Sequence, residues 1–533
     1  MKIVLTADRA VFTDYHGLDL FGFGLCMPYR LIPKFVEYHL LAPRIPTVDG
    51  IRAKYAPLGL CKTEAALLAA GFSREDVAIV PPHALEKAVN GDTEIVGIHV
   101  LDPKGLAPVT WTLKAISGGG ASCTELEFEN LMRKIKYLKR KYRFKVIVGG
   151  PGWWQLRGWE DYYEIDVLFA GESELTFPTL VRKMLSGEKV PRFIEGETPP
   201  VELIPPIVTP SRNGLVQVTR GCPRRCSFCS PTTWKFRSFP LNMILREVEF
   251  NLKSGVKSIV LVTDDILLYG ARGLELNPDA VKRLFNEIAK LASKYDVWNI
   301  GFSHISCASA LTAKDAVKYI SDVMGLSEDH PSFPQIGLES GSPRIVGKYF
   351  RGKTYPWKPE DWPNIVIESS KLFNDAYFYP CYTYIVGFPD ATPDDYIKTI
   401  ELLDKLKDEG FKGWTFPLLL IPMGGTLIED KASFLELKEL PEEAIDCIVE
   451  GWKISLKFSR GILDKLIRVR NPLLTKIFIK LAQKALDAME VWIEGVRKGL
   501  DIIETQFSKV NIRDRGIPKL ITDLFLAKIK HRI

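Results

Sequence analysis

The spacing of apolar positions divides the chain into three stretches. In the first, up to about residue 200, short runs rich in Val and Ile alternate with longer amphipathic segments. Lys2–Ala7, Val77–Val80, Glu94–Leu101, Lys145–Val148 and Asp166–Ala170 read as strands. Thr63–Gly71 and Glu125–Lys141 read as helices, the second capped by Ser122 or Thr124. Tyr15–Gly50 breaks the alternation and reads as an insertion over one edge. Five strands with intervening helices predict a doubly wound parallel sheet in an α/β protein. Ligands of such sheets sit at the carboxyl ends of the strands. Gly149, Gly150 and Gly171 fall at those ends and are candidate cofactor-binding positions.

Thr198–Pro210 holds five prolines and marks a linker. Beyond it the alternation resumes. Leu215–Thr219, Ser258–Asp264, Val297–Ser303, Gln335–Leu338, Phe378–Val386 and Trp414–Ile421 read as strands. Met243–Ser254, Ala280–Ser293, Ala313–Val323 and Pro393–Glu409 read as helices between them. Six βα units predict a partial (β/α)6 barrel with its functional residues at the strands' carboxyl ends. After about residue 430 the strand pattern stops, and Leu473–Phe507 has helical periodicity. The expected organisation is a sheet domain over 1–195, a barrel over 213–426 and a helical region over 430–533.

Composition adds limits. At 533 residues the chain has room for about three domains. With 46% apolar and 26% charged residues it belongs with globular rather than disordered proteins. No apolar run approaches the roughly 20 residues of a membrane span. Met1–Asp8 reads as a short strand, not a signal peptide, so a soluble, cytoplasmic protein is expected. Charge is uneven: residues 451–533 carry 18 Lys and Arg against 8 Asp and Glu, and the remainder is slightly acidic. That basic stretch fits a solvated helical surface or attraction to an anionic lipid, hence peripheral membrane contact through the C-terminus. It lacks interleaved aromatics, so no nucleic-acid partner is expected.

Of nine cysteines, only Cys222, Cys226 and Cys229 cluster, in the run Gly-Cys-Pro-Arg-Arg-Cys-Ser-Phe-Cys just after the first barrel strand. Thiolates select zinc or iron–sulfur clusters. Structural zinc wants four ligands, and only the distant His304 and Cys307 offer to complete a set. Three thiolates and an open position suit a [4Fe–4S] cluster with one labile iron better. Arg220, Arg224 and Arg225 flank the loop, where their charge would offset an anionic cluster and favour reduction by an anionic donor protein.

The C-x3-C-x-F-C pattern, Cys222, Cys226, Phe228 and Cys229, resembles the signature of the radical S-adenosylmethionine (SAM) enzymes. The resemblance implies that SAM chelates the open iron and is cleaved to a 5′-deoxyadenosyl radical, which attacks an unactivated C–H bond. It also implies roles at other strand ends. Asp264, at the end of the second strand, would meet SAM's amino group or a substrate. Glu339 and Ser340 lie in Gly-Leu-Glu-Ser-Gly, similar to a turn that meets SAM's ribose or methionine end. Gly387 lies in Ile-Val-Gly-Phe-Pro, similar to the segment that packs on adenine.

The sheet domain resembles the cobalamin-binding domain of the class B radical SAM enzymes, through Val96–Ile98, Val146–Pro151 and Val167–Glu174. A D-x-H-x-x-G motif is absent; Asp14-Tyr-His16-Gly17 is too short to be it. Trp111, Trp153 and Trp154 are placed to cover a corrin face or to pack as a lid. The resemblance implies cobalamin-assisted methyl transfer, or ring or C–C bond formation, on a small molecule or a lipid, with a reducing electron-donor protein as partner. A vestigial sheet that only braces the barrel, or a non-catalytic metal or cobalamin carrier, are the alternatives. A tRNA methylthiotransferase is disfavoured, because Cys26, Cys61 and Cys123 lack the context of its second cluster.

Overall fold

Ile3–Ala7 (β1) is buried along its whole length, and Ile95–His99 (β3) nearly so. Strands apolar on both faces need helices above and below them. The computed structural model, which describes residues 1–17, 21–466, 472–498 and 510–514, supplies that arrangement. β1, Val77–Ile79 (β2), β3, Lys145–Gly149 (β4), Val167–Gly171 (β5) and Phe193–Gly196 (β6) form one parallel sheet in the order β2-β1-β3-β4-β5-β6. Val4 pairs with Ala78 on one side and Val96 on the other. Leu58–Ala69 (α1), Pro108–Ile116 (α2), Cys123–Tyr142 (α3) and Thr176–Leu185 (α4) are its main helices. The order reverses at β1, so the crevice for a ligand opens between the ends of β1 and β3.

Two features depart from the sequence pattern. β6 is a sixth strand; it is short, partly exposed and at the sheet edge, so it carries no apolar run. α1 begins at Leu58, five residues earlier than expected, because Pro57 ends the preceding extended segment. The cap of α3 is Ser122, whose hydroxyl accepts from Glu125 N–H at 3.2 Å, while the Glu125 carboxylate accepts from Ser122 N–H at 2.7 Å.

The second unit holds Leu215–Gln217 (β7), Ser258–Val262 (β8), Asn299–Phe302 (β9), Gln335–Glu339 (β10), Cys381–Val386 (β11) and Trp414–Leu419 (β12). β7–β9 and β10–β12 form two parallel three-stranded sheets. A bridge from His304 to Gln335 joins them. Helices Leu241–Lys253 (α5), Pro278–Ala292 (α6), Lys314–Met324 (α7), Trp362–Asp375 (α8) and Pro393–Asp408 (α9) lie outside, as in a partial barrel. Tyr382 points outward and bonds Ser370 of α8 at 2.7 Å. The alternate residues Cys381, Thr383 and Ile385 therefore face the barrel interior.

β12 is an open edge, and other parts of the chain cover it. Glu442–Leu466 (α10) accepts the Thr415 hydroxyl at the Gly451 carbonyl, 2.6 Å away. From the sheet domain, Thr112 of α2 accepts Leu419 N–H at 2.8 Å. Pro472–Lys498 (α11) packs on α10, with Trp492, Ile493 and Val496 buried. The rest of the expected Leu473–Phe507 helix, and residues 467–471, 499–509 and 515–533 of the basic C-terminal stretch, lie outside the described residues. Among the described residues no helix is long and apolar enough to cross a membrane.

Asp8 follows β1 at the crevice and is buried. Its carboxyl accepts Val11 N–H at 3.1 Å, yet burial raises its pKa to about 7. A carboxyl raised above its unfolded value near about 4 opposes folding once it ionises. Stability should therefore decline as pH rises from about 4 through 7 and level off above. Asp8→Asn, which keeps the acceptor, should flatten that decline and be about 2 kcal/mol more stable at pH 8. Denaturant unfolding across the pH series checks it.

Candidate active site

The three clustered cysteines follow β7 on a loop that opens with a short hairpin, Thr219–Arg220 against Arg237–Ser238. Gly221 starts the loop in the left-handed region (φ 77°), where a Cβ would lie 2.7 Å from the Trp234 carbonyl. Cys222 N–H bonds the Pro231 carbonyl at 3.0 Å. Thr232 donates to the carbonyl of Cys229 at 2.7 Å and of Cys226 at 3.1 Å. Cys222 and Cys226 are buried, Cys229 is half-buried, and all three are free thiols. Burial pushes all three thiols up, Cys226 to about 12.

Cationic groups oppose that burial. Lys353 is paired with Glu339 and lies within electrostatic reach of Cys226 and Cys229. Burial would lower its ammonium, but Glu339 and the thiols outweigh burial and hold it above the ordinary lysine value. Arg224 acts on Cys222 through its charge and through a backbone hydrogen bond. Its guanidinium pairs with Asp265 at 2.5 Å, and Ser309 donates to the same carboxylate at 2.6 Å. Arg225 is exposed. Arg220 is committed elsewhere, to Glu172 and, at 2.9 Å, to Glu174. The three arginines expected around the loop therefore have three different tasks.

Phe228 stands edge-on to Phe350 and Phe388, with centroids 6.0 and 5.9 Å away. Phe388 follows Gly387, so the loop's aromatic meets the end of β11 directly. At Gly387 (φ 96°) the space for a Cβ is taken by Leu435, 2.5 Å away. Asp264, half-buried, faces Cys222 and Cys229; burial, and then Asp265, raise its pKa to about 7. Glu339 has a left-handed backbone (φ 62°) and is buried at the end of β10. Ser340 beside it accepts Ser342 N–H at 3.1 Å and holds the turn.

The residues fit a cluster. Three cysteines without disulfides on one loop, a buried Ser227 hydroxyl with no hydrogen-bond partner, and two cations within electrostatic reach of the sulfurs suit an anionic cubane. Among the described residues no three His, Cys, Asp or Glu converge on one ion. His304 instead bonds the Thr263 carbonyl at 3.2 Å, and the Cys307 thiol bonds Tyr382 at 3.7 Å.

Glu172 and Glu174 follow β5, so the carboxyl end of the sheet faces the carboxyl end of the barrel. Arg237 of the hairpin also reaches Glu172, at 2.5 Å, and Arg220, Glu172 and Glu174 are buried. Trp111 donates to the Leu435 carbonyl at 3.0 Å. Trp154 packs on Gly424, and Trp153 packs on Phe193 and Arg157. Gly149 and Gly171 approach the neighbouring strands, where a Cβ would lie 3.0 Å from the Phe169 carbonyl and 2.9 Å from the Gly196 carbonyl. Gly150 (φ 107°) leaves room for the ring of His99. Burial lowers the His99 pKa to about 4 and keeps the imidazole neutral.

Sequence reasoning missed Lys353 and His99. Lys353 sits in an unremarkable Arg-Gly-Lys-Thr turn, and His99 ends an apolar strand. The Arg220–Glu172–Glu174 contact had a signal: two carboxylates end one strand, and an arginine ends another.

The radical SAM superfamily model matches residues 216–421, the six barrel strands with the cysteine loop. Over these residues the chain is a radical SAM domain. That match implies a [4Fe–4S] cluster and SAM at this site. Among curated relatives, the tRNA-2-methylthio-N(6)-dimethylallyladenosine synthase of Sulfurihydrogenibium sp. is 26% identical over 349 residues, 62% of this chain and 72% of the relative. The ribosomal protein uS12 methylthiotransferase RimO of Bordetella pertussis is 26% identical over 39% of this chain, which spans about half (48%) of that relative. The two-domain fold is that of the radical SAM methyltransferase TsrM from Kitasatospora setae, solved with cobalamin and a [4Fe–4S] cluster. The TM-score is 0.52 at 15% identity, covering 80% of this chain and 77% of TsrM. That likeness is one of fold.

Glu172→Ala should leave Arg220 and Arg237 short of counter-charge in a buried site, at a cost of about 3–5 kcal/mol. The unfolding midpoint should fall, and reconstituted protein should hold less iron per chain. Glu172→Asp should lose less of both.

Proposed function

We propose that this radical SAM enzyme functionalises an unactivated carbon with the help of cobalamin, by methyl transfer or by ring or C–C bond formation, on a small apolar molecule or a lipid. The observation that carries the proposal is the buried contact of Arg220 with Glu172 and Glu174. It sets the cysteine loop against the carboxyl edge of the sheet, the edge at which doubly wound sheets hold ligands. When bound there, the cluster and SAM supply hydrogen-atom abstraction, and cobalamin supplies a methyl group or a one-electron partner.

The chain's own residues bind, orient and exclude water. Cys222, Cys226 and Cys229 hold three irons. Lys353 and Arg224 balance the charge of the cluster, and Glu339 keeps Lys353 in place. Asp264 stands ready at the same mouth as a partner for SAM's amino group. Gly387 and Phe388 form one wall beside Phe228. Trp111 and Trp154 close the seam between sheet and barrel and limit entry of water, while Trp153 packs within the sheet domain. Among the half-buried strand residues, Val260, Val262, Ile385 and Leu418 are aliphatic, beside the polar Gln217, Gln335 and Thr383. The aliphatic ones suit a substrate that reacts at an unactivated carbon. An anionic electron-donor protein is the expected reductant.

Methylthiotransfer, the activity in the relatives' names, draws less support. Cys123 N–H bonds the Met27 carbonyl beside Cys26, but Cys61 lies in a different core, against the Ala56 carbonyl. The three do not form a second cluster site.

Protein purified without oxygen and reconstituted should bind about four irons and release 5′-deoxyadenosine from SAM under reduction. Cys226→Ala should reduce that release to background while the protein still retains cobalamin, seen in its visible spectrum. Wild-type protein that holds one zinc and leaves SAM intact would overturn the proposal.

A further inference from the structure

His99 is the last residue of β3, at the crevice where the strand order reverses. Its ring lies in a slot made by two glycines. A Cβ on Gly59, in the first turn of α1, would lie 2.7 Å from Cε1. A Cβ on Gly150, at the end of β4, would lie 2.6 Å from Nδ1. Any other residue at either position would displace the imidazole. The slot therefore fixes the ring at the edge of the sheet, while part of its surface stays open.

Among the described residues neither ring nitrogen has a hydrogen-bond partner. Neither nitrogen is fully buried, so each is left open to an outside partner. The charge that acts on the ring is Arg212, whose Nη1 is turned away to the Val11 and Thr13 carbonyls, at 2.5 and 2.8 Å, and whose guanidinium stacks on Tyr15. A fixed imidazole with a free lone pair, facing a cofactor crevice, has the form of a metal ligand awaiting its metal.

We propose that His99 is the protein's ligand to the lower face of the cobalt of a cobalamin held at this edge. The inference rests on the cobalamin reading above. The bond forms by donation of a ring-nitrogen lone pair to cobalt, and the water or nucleotide base that held that position leaves. No electron is transferred. The missing D-x-H-x-x-G histidine is thereby replaced from another strand: the residue two places after Asp8, at the end of β1, is Ala10.

The whole chain, produced with hydroxocobalamin and reduced by one electron, is measured by electron paramagnetic resonance. Coordination by His99 splits each cobalt line into three through one 14N nucleus. Labelling histidine alone with 15N should turn each triplet into a doublet. His99→Ala and His99→Gln should lose the splitting and still retain the cofactor, with iron content unchanged. A retained cofactor without nitrogen splitting, or with splitting that ignores labelled histidine, overturns the role of His99 and leaves the cobalamin reading standing. Wild-type protein that retains no cobalamin overturns both. The labelling works on wild-type protein, so it decides even if a variant fails to fold.

Discussion

Arg220 joins the two halves of the molecule. It stands two residues before Cys222, at the end of the strand that launches the cysteine loop, and its guanidinium is buried between Glu172 and Glu174 of the other domain. A buried arginine tolerates no vacancy among its acceptors, because an unpaired buried charge costs several kcal/mol. The contact therefore fixes more than a distance. It sets the orientation of one carboxyl edge against the other, and with it the position of the cysteine loop relative to the crevice of the sheet. Arg237 repeats the logic from the second strand of the hairpin. A cluster site that ended at its three cysteines would have no such link to the sheet.

A second constraint follows from the incomplete barrel. Six strands leave β12 without a neighbour, and an exposed edge is a liability. Here α10 covers it from one side, and Thr112 of the sheet domain bonds its last strand residue. Two independent contacts thus lock the sheet domain to the barrel, one at each end of the strand series. Arg220 works beside β7, and Thr112 works beside β12. The barrel is completed by the domain it faces, so the seam between them is a built wall of the site rather than a loose interface between modules.

The parts of this legible in sequence were those carried by local pattern. The strands of both units announced themselves by apolar runs, the cysteine loop by spacing, and the cap of α3 by Ser122 and Glu125. β6 escaped because an edge strand of Phe-Ile-Glu-Gly, half exposed, has no periodicity to detect. The task of Arg220 was misjudged for a different reason. Charge beside a cysteine loop suggests a partner for the cluster, and only the fold reveals that two carboxylates 48 and 46 residues earlier claim it first. Lys353 shows the converse. Nothing near it in sequence marks it, yet the barrel returns it to the cysteines with Glu339 as its anchor. Long-range electrostatics of this kind is a property of topology, which one-dimensional pattern does not encode.

The same distinction bears on whether the sheet is more than a brace. A brace would need the contacts at Arg220, Thr112 and Trp154, and these all lie at its border with the barrel. It would have no use for a histidine held open at the switch point between two glycines, since a small apolar residue would fill that slot without an unpaired nitrogen. Nor would it profit from Asp8, whose burial at the same crevice works against folding at neutral pH. Groups that oppose stability persist where function holds them. Asp8 follows β1 and His99 ends β3, the two strands that bound the crevice. Both stand where a ligand of a doubly wound sheet would sit, which is the physical ground for the proposed reading of the domain as a holder of a cofactor.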